Sequence, residues 1–339
     1  MMKKLLFSVI IFIATIVLAA VALNIFRTDR MANAQYFRTR NVFQYNAENI
    51  VFDAGRGYTM TPNLHTPYNN KEFTSTITTN QLGYRDDDAS LNNPDVLMLG
   101  DSYAWGWGVE EKDGVEKQYE KLTGKKALNM SVPGYGSIQE LLTLFAWERR
   151  GPLQGKRIFV FFCTNDLQDN ENTSFNAFPY FVKSSNNIQL HTPDKAAFDK
   201  WQDATDKWMI HSKLAANSIL SFYTIAAIKN ISNKDVYKDY QTTTSRLNGA
   251  EAFIYIAENL AALQTQHQAQ VTIIYIPPVS YYATGQQDVS YKLVADVCNK
   301  LHFRFADLTQ VLDINDYYPL DKHWNANGHR KAAQFLSGY

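Results

Sequence analysis

Short apolar runs alternate with helical segments over most of the chain after residue 95. This alternation is typical of a parallel β-sheet covered by helices on both faces, so the predicted fold class is α/β with three layers. The predicted strands are Val96–Leu99, Lys126–Met130, Ile158–Phe162, Val271–Ile276 and Arg304–Asp307. Helices are predicted near Val115–Leu122, Ile138–Trp147, Ala250–Gln268 and Ser290–Leu301, and a closing helix over His329–Leu336 is predicted to be capped by Asn325 or Asn327.

A serine follows the first of these strands. Gly100-Asp101-Ser102 forms a turn that leaves the Ser102 hydroxyl at the strand tip, where α/β enzymes carry out their chemistry. Near the C-terminus, Asp321 and His323 stand two positions apart, so one turn can hold the carboxylate behind the imidazole and fix its tautomer. Each segment alone is a weak signal, because Gly-Asp-Ser is most often a turn that caps a helix. Together they predict a serine nucleophile and its base.

Two further turns between these segments can stabilise an oxyanion. The turn Val132-Pro133-Gly134-Tyr135-Gly136 precedes a helical pattern, so it presents backbone N–H groups at a helix N-terminus. Gly134 is the favoured donor, and the alternative is a connector whose glycines only permit positive φ. The third strand runs into Asn165, whose side-chain amide can donate to the same oxyanion without a protonation step. The backbone N–H of Ser102 completes the predicted oxyanion hole.

Ser102, Gly134, Asn165 and His323, in that order, resemble the four signature blocks of the SGNH hydrolases, the GDSL-type esterase superfamily. The resemblance extends from about Asn80 to the C-terminus. It implies a flavodoxin-like α/β/α fold and a serine esterase that forms an acyl-enzyme intermediate. The implied substrate is an acyl ester, most simply an O-acetyl ester, of an envelope glycan or lipid.

The sequence departs from the pattern of the superfamily at two points. Cys163 stands where the third block usually begins with glycine, and only Lys322 separates Asp321 from His323 where two residues are usual. A one-residue spacer also occurs in relatives that resemble alginate and peptidoglycan O-acetyltransferases. Both water and a sugar hydroxyl therefore remain open as acyl acceptors. The alternative of another class is a catalytically inactive glycan-binding protein with the same fold.

The N-terminal segment is apolar. The run from Leu5 to Phe26 contains no charged residue and has roughly the 20 residues needed to cross a bilayer. It exceeds the roughly 7–15 apolar residues of a cleaved signal peptide. Residues 1–26 are therefore predicted to be a signal anchor that binds the membrane and leaves the catalytic domain outside the cytoplasm, either periplasmic or extracellular. Cleaved secretion is the alternative, since Ala20–Ala22 and Ala32–Ala34 have small-residue patterns.

The rest of the chain divides into two parts. Residues 27–92 are predicted to form an N-terminal extension, in which Phe73–Thr79 alternates as an exposed strand or hairpin does. Residues 93–339 are the predicted SGNH domain, with a helical insertion at about 170–247. The insertion is interpreted either as a cap over the pocket or as an additional helical layer. The position of Arg85 next to Asp86–Asp88 predicts that it lies in a solvated surface loop. The alternative is that the Arg85 side chain reaches the active site.

Composition excludes several functions. Lys and Arg number 33 against 33 Asp and Glu, and this balance gives no basic excess for a nucleic-acid partner. No metal-ligand spacing or dinucleotide fingerprint is present, so no metal or cofactor is predicted.

Cys163 and Cys298 are expected to be unpaired core thiols. His329 is the weaker candidate for the base, because no carboxylate lies near it in sequence.

Overall fold

The structure is a computed structural model that describes residues 2–25, 43–184, 187–217 and 245–339. The chain divides into two compact units, of which one comprises Met1–Asn46 and Asp203–Val236 and the other comprises Ala47–Gln202 and Tyr237–Tyr339. The second unit contains the central sheet and every predicted site residue.

Eleven strands and ten α-helices are found within the described residues. The strands are β1 Ile50–Asp53, β2 Gly57–Met60, β3 His65–Asn69, β4 Thr74–Thr78, β5 Val96–Leu99, β6 Ala127–Asn129, β7 Arg157–Phe162, β8 Tyr180–Ser184, β9 Asn187–His191, β10 Gln270–Tyr275 and β11 Arg304–Asp307. The helices are α1 Met2–Ile25, α2 Ser102–Trp105, α3 Val115–Thr123, α4 Ser137–Glu148, α5 Asp166–Glu171, α6 Lys195–Asn217, α7 Gly249–His267, α8 Val279–Thr284, α9 Val289–Leu301 and α10 Ala326–Leu336.

The central sheet has five strands in the order β11-β10-β7-β5-β6, and every neighbouring pair is parallel. The predicted α/β class with a central parallel sheet is therefore confirmed. Strands β5 and β11 have the predicted bounds, and the other three agree to within one residue at each end. Helix α10 begins three residues before the predicted start, because the Asn325 side chain caps it by accepting from the N–H groups of Asn327 and Gly328.

The sheet separates two hydrophobic cores. Side chains alternate along a strand, so Leu97 and Leu99 of β5 face one core while Val96 and Met98 face the other. Helices α4, α7 and α9 cover the first core, and α3 and α10 cover the second. The three layers predicted from the sequence are therefore present. The helices contribute Leu144, Phe253 and Val294 to the first core and Tyr119, Ala332 and Leu336 to the second.

Three antiparallel hairpins accompany the sheet: β1-β2, β3-β4 and β8-β9. The β3-β4 hairpin contains the alternating stretch of the sequence, and Ser75 and Ile77 of β4 are buried while Thr74 is exposed. Carboxylates that follow α2 hold this hairpin. Glu110 Oε1 accepts from the Thr76 N–H at 3.0 Å, and Glu111 Oε2 accepts from the Thr78 hydroxyl at 2.5 Å.

The N-terminal helix α1 belongs to the first unit. Its segment Lys4–Ala22 is 19 residues long and apolar enough to cross a membrane, a property that a signal sequence shares. The helical part of the insertion is present as α6, which runs from Lys195 to Asn217. The remainder of the helix predicted to extend to Ile228 lies outside the described residues.

Candidate active site

Ser102 is the first residue of α2 and comes directly after the β5 turn. Its hydroxyl lies 2.7 Å from His323 Nε2, although the two residues are 221 positions apart in sequence. Gly100 makes this turn possible, since a Cβ there would lie 2.8 Å from Ala104 Cβ and 3.0 Å from Phe161 Cβ. Both Ser102 and His323 are buried, with 6% and 3% of their surface exposed. The hydroxyl is therefore held against the imidazole in a largely dry environment.

Asp321 stands behind the imidazole. Its Oδ1 forms a short hydrogen bond with His323 Nδ1, and its Oδ2 accepts from the indole N–H of Trp107 at 3.3 Å. With the Nδ1 proton directed to Asp321, Nε2 is left to accept from the Ser102 hydroxyl. The one-residue spacer, Lys322, has φ +72°, a left-handed conformation that non-glycine residues adopt rarely. This conformation turns the backbone so that the side chains of Asp321 and His323 face each other, although only Lys322 separates them in sequence.

Gly134 lies in the turn that follows β6, the neighbour of β5. Its φ of +77° is in the left-handed region, which suits glycine. The Val132 N–H donates to the carbonyl of Gly100 at 3.1 Å, so the Gly134 turn lies against the turn that carries Ser102. The Gly134 N–H has no hydrogen-bond partner within the described residues. This group is thus open to an acceptor.

Asn165 follows β7 on the other side of β5. Its amide nitrogen donates to Asp169 Oδ2 at 2.8 Å and to Asp101 Oδ2 at 3.3 Å. Asp101 immediately precedes Ser102, so the amide lies next to the Ser102 turn. Both amide hydrogens have carboxylate acceptors, and the longer bond to Asp101 must be released before Asn165 can donate to an oxyanion.

Two buried carboxyl groups lie in the same region. Asp166 is fully buried and accepts from the Cys163 N–H, while neither carboxyl oxygen of Glu140 has a hydrogen-bond partner within the described residues. Burial raises the pKa of Asp166 and of Glu140, and the nearby carboxylate of Asp101 raises both further. Their protonated forms are therefore favoured, which limits the negative charge near the Asn165 amide.

The prediction of a solvated loop is wrong for Arg85 and Asp86, which are both buried. The Arg85 guanidinium donates to the carbonyls of Trp105, Gly106 and Val109 and lies 4.7 Å from the centre of the Trp105 ring. Burial lowers the pKa of Arg85 to about 10, so the group is still charged at neutral pH. The buried guanidinium thus supplies hydrogen-bond donors to carbonyls of the loop that follows Ser102.

Asp86 forms an ion pair with Lys117 at 2.7 Å and accepts from the Asn129 N–H at 3.0 Å. Burial raises the pKa of Asp86 to about 6. Asp87 and Asp88 remain exposed, so the expectation of a solvated run was correct for these two residues.

His329, the second histidine of the C-terminal block, has a structural role. His329 is buried, and its Nδ1 accepts from the Val115 N–H at 3.2 Å at the start of α3. Burial, together with the nearby Arg85 and His323, lowers the pKa of His329 to about 3. His329 is therefore a neutral acceptor, and His323 is the imidazole that contacts Ser102.

Both cysteines are unpaired and buried, as expected from the sequence. They lie in different cores, Cys163 in the one covered by α3 and Cys298 in the one covered by α7. Burial raises the pKa of Cys163 well above its ordinary value and that of Cys298 to about 12. Among the described residues, no group of His, Cys, Asp and Glu side chains is arranged to hold a metal ion.

Trp107 and Glu72 were not identified from the sequence, although both contact the segment that carries Asp321. Trp107 donates to the Asp321 carboxylate, and Glu72 accepts from the N–H groups of Leu320 and Asp321. The Gly106-Trp107-Gly108 sequence indicates a turn through its two glycines, both of which have positive φ, but it does not indicate a contact with Asp321. No sequence pattern connects position 72 with position 321.

No protein-family model and no curated protein sequence matches the chain. Among solved structures, a protein described as lipolytic and of the G-D-S-L family, from Desulfitobacterium hafniense DCB-2, is similar at a TM-score of 0.40 and 8% identity, over 73% of this chain and 99% of that one. TesA is similar at a TM-score of 0.37 and 12% identity, over 71% of this chain and 94% of that one.

The acetyl xylan esterase Est2A from the rumen bacterium Butyrivibrio proteoclasticus is similar at a TM-score of 0.36 and 13% identity, over 72% of this chain and 62% of that one. With TM-scores of 0.36 to 0.40 and identities of 8% to 13%, these similarities carry no argument about the family, substrate or activity of this chain. The parallel sheet and the placement of the four blocks at its carboxyl edge define an α/β protein with a serine, histidine and aspartate in contact.

Proposed function

We propose that this chain is an SGNH-type serine esterase that cleaves acyl esters through an acyl-enzyme intermediate. One observation supports the proposal above all others. Ser102 Oγ lies 2.7 Å from His323 Nε2, and Asp321 contacts the far side of the same imidazole. This is the arrangement of a hydroxyl nucleophile, a general base and the group that orients the base.

In the proposed reaction, Ser102 Oγ forms a bond to the carbonyl carbon of the ester while His323 accepts the hydroxyl proton. The tetrahedral oxyanion is stabilised by the N–H groups of Ser102 and Gly134 and by the Asn165 amide. His323 then donates its proton to the departing alcohol as the carbon–oxygen bond breaks. Water, activated by the same imidazole, cleaves the acyl-enzyme and regenerates Ser102.

A covalent probe tests this proposal directly. A fluorophosphonate is expected to label the wild-type protein at Ser102, and p-nitrophenyl acetate is expected to be hydrolysed. Ser102→Ala is the matched control and should abolish both labelling and turnover. Labelling that persists in Ser102→Ala, or a folded wild-type protein that does neither reaction, would overturn the proposal. The second result would favour a glycan-binding protein without catalysis.

The acceptor of the acyl group defines a second candidate function. The Lys322 spacer resembles that of polysaccharide O-acetyltransferases, so transfer of an acetyl group to a sugar hydroxyl competes with hydrolysis by water. Product analysis with an acetyl donor and an added glycan acceptor separates the two. Acetylated glycan formed by the wild type but not by Ser102→Ala would favour the transferase, whereas free acetate as the only product of the wild type would favour the hydrolase.

The proposed location follows from the apolar N-terminal helix. The segment Lys4–Ala22 anchors the chain in a membrane, and the catalytic domain faces the periplasm or the exterior, where envelope glycans carry O-acetyl esters. The part of the insertion that belongs to the second unit, namely β8, β9 and the start of α6, is proposed to cover the active site or to add a layer to the domain. Fractionation of cells expressing the full chain, with protease added from outside, tests both the anchor and the orientation.

A further inference from the structure

We infer that Glu72 is a positioning residue for the His323–Asp321 pair, an inference that rests on the proposed function. Glu72 lies outside the four blocks, in the turn that joins β3 to β4. Its Oε1 accepts from the Leu320 N–H at 2.8 Å, and its Oε2 accepts from the Asp321 N–H at 2.7 Å. One carboxylate thereby holds two successive backbone donors, the second of which belongs to the residue that orients the base.

The segment that carries Asp321 needs this support because the hydrogen bonds within the segment do not use the N–H groups of Leu320 and Asp321, which donate to Glu72. Tyr318 N donates to the His323 carbonyl at 2.8 Å, and Lys322 N donates to the Tyr318 carbonyl at 3.0 Å. These two bonds close the loop, while the N–H groups of residues 320 and 321 point away from it to Glu72. Charge-assisted bonds of this kind are stronger than neutral ones.

The backbone conformation of the loop gives Glu72 a further role. Lys322 is held at φ +72°, which a non-glycine residue keeps only where its surroundings impose it. The Glu72 bonds fix the residue before this position, and the Tyr103 hydroxyl fixes the Lys322 carbonyl at 2.8 Å. Release of Glu72 removes one of these two restraints, so the Asp321 carboxylate and the imidazole can move apart.

The turn that carries Glu72 is itself well ordered by contacts. Asn70 Oδ1 accepts from the N–H groups of Glu72 at 2.8 Å and of Phe73 at 3.0 Å, which fixes the turn. The Phe73 ring packs on Tyr318, at the start of the Asp321 loop, with ring centres 5.1 Å apart. On the other side of the hairpin, Tyr68 packs on Trp107 at 5.0 Å. The hairpin thus supports Asp321 in two ways. Glu72 accepts from the Asp321 backbone N–H, and Tyr68 packs on the Trp107 indole that donates to the Asp321 carboxylate.

The experiment compares Glu72→Gln and Glu72→Ala with Glu110→Gln as the matched control. Glu110 also accepts from a backbone N–H of the same hairpin, that of Thr76, but it does not contact the Asp321 loop. Steady-state hydrolysis of p-nitrophenyl acetate by the full chain gives kcat and KM, and thermal unfolding gives the stability of each variant.

Glu72→Ala is expected to lower kcat by about 10- to 100-fold, since small misplacements of catalytic groups have effects of this size, with KM changed less than about twofold. Glu72→Gln retains one carbonyl acceptor and should lose less activity than Glu72→Ala. Glu110→Gln should keep kcat within about twofold of the wild type. Hydrogen exchange of the peptide containing residues 318–323 should rise in Glu72→Ala and stay unchanged in Glu110→Gln.

The possible failures are distinguishable. An active wild type with unchanged kcat in both Glu72 variants would overturn the role of Glu72 and leave the proposed function intact. Equal losses of kcat in Glu72→Gln and Glu110→Gln would show that general attachment of the hairpin matters, which also contradicts the inference. A folded wild type that neither hydrolyses the ester nor reacts at Ser102 would overturn the proposed function itself. If Glu72→Ala fails to fold, Glu72→Gln decides the question.

Discussion

His329 provides a test of the folded environment that is independent of catalysis. The imidazole is buried, accepts from the Val115 N–H and has its pKa lowered to about 3. In the unfolded chain an imidazole titrates near pH 6.5. Between these two values the unfolded chain binds more protons than the folded one, so the His329 contribution to stability is complete above pH 6.5 and is lost as the pH falls.

The magnitude follows from the two pKa values. Each pH unit below 6.5 costs about 1.4 kcal/mol, so the loss between pH 7 and pH 5 amounts to about 2 kcal/mol. Other buried groups, such as Asp86, titrate in the same range and act in the opposite direction, because burial raises the pKa of Asp86. The contribution of His329 is therefore isolated by comparison with His329→Gln, which keeps an acceptor for Val115 and does not titrate.

The assay is urea unfolding of the full chain in mild detergent, for the wild type and His329→Gln, at pH 7 and pH 5. Whatever the difference in unfolding free energy at pH 7, it should shift by about 2 kcal/mol in favour of the variant at pH 5. A difference that is the same at both pH values would refute the reasoning, because His329 would then titrate alike in the folded and unfolded chains.

Three further substitutions test the site. Asn165→Ala should lower kcat for p-nitrophenyl acetate by about 10²- to 10³-fold, and a loss below fivefold would remove this amide from the oxyanion hole. Trp107→Phe removes the donor to Asp321 Oδ2 and should lower kcat by about 10-fold, whereas an unchanged kcat would limit the indole to packing. Arg85→Met removes the guanidinium donor to the carbonyls of Trp105, Gly106 and Val109, of which Gly106 keeps the Val109 N–H as a second donor. It should lower the unfolding free energy by about 3 kcal/mol in urea titrations, and a loss under about 1 kcal/mol would contradict that role.

The sequence predicted the sheet well because each central strand is a short apolar run that ends in a polar turn. Val96–Leu99 could be delimited to the residue for this reason, the bounds of Arg304–Asp307 also agree with the prediction, and the parallel arrangement then placed Ser102 and Asn165 at one edge. The contact between Ser102 and His323 was predicted from resemblance and from residue chemistry, and the structure brings the two together at 2.7 Å.

Long-range polar contacts could not be predicted in the same way. Arg85 stands beside three aspartates in sequence, which suggests solvent, yet its acceptors are carbonyls about 20 residues further along the chain. The state of the Asn165 amide is another example. Its place after β7 agrees with the prediction, but its bonds to Asp101 and Asp169 depend on the relative position of two turns.

The order of strands explains why the base needs support from outside the sheet. Ser102 follows β5. The two predicted oxyanion donors, the Gly134 N–H and the Asn165 amide, follow the strands next to β5, which are β6 and β7. His323 comes after β11, which is three positions from β5 in the sheet, or about 14 Å at the usual strand spacing.

The chain must therefore carry the base back across two strands in a segment that forms no strand of the sheet. Bonds from Tyr103, Trp107 and Glu72 converge on that segment and replace the anchoring that a strand would give. Removing any of these three hydrogen bonds should affect turnover before it affects the fold, because no bond of the sheet depends on them and only the Tyr103 ring packs against one of the two cores.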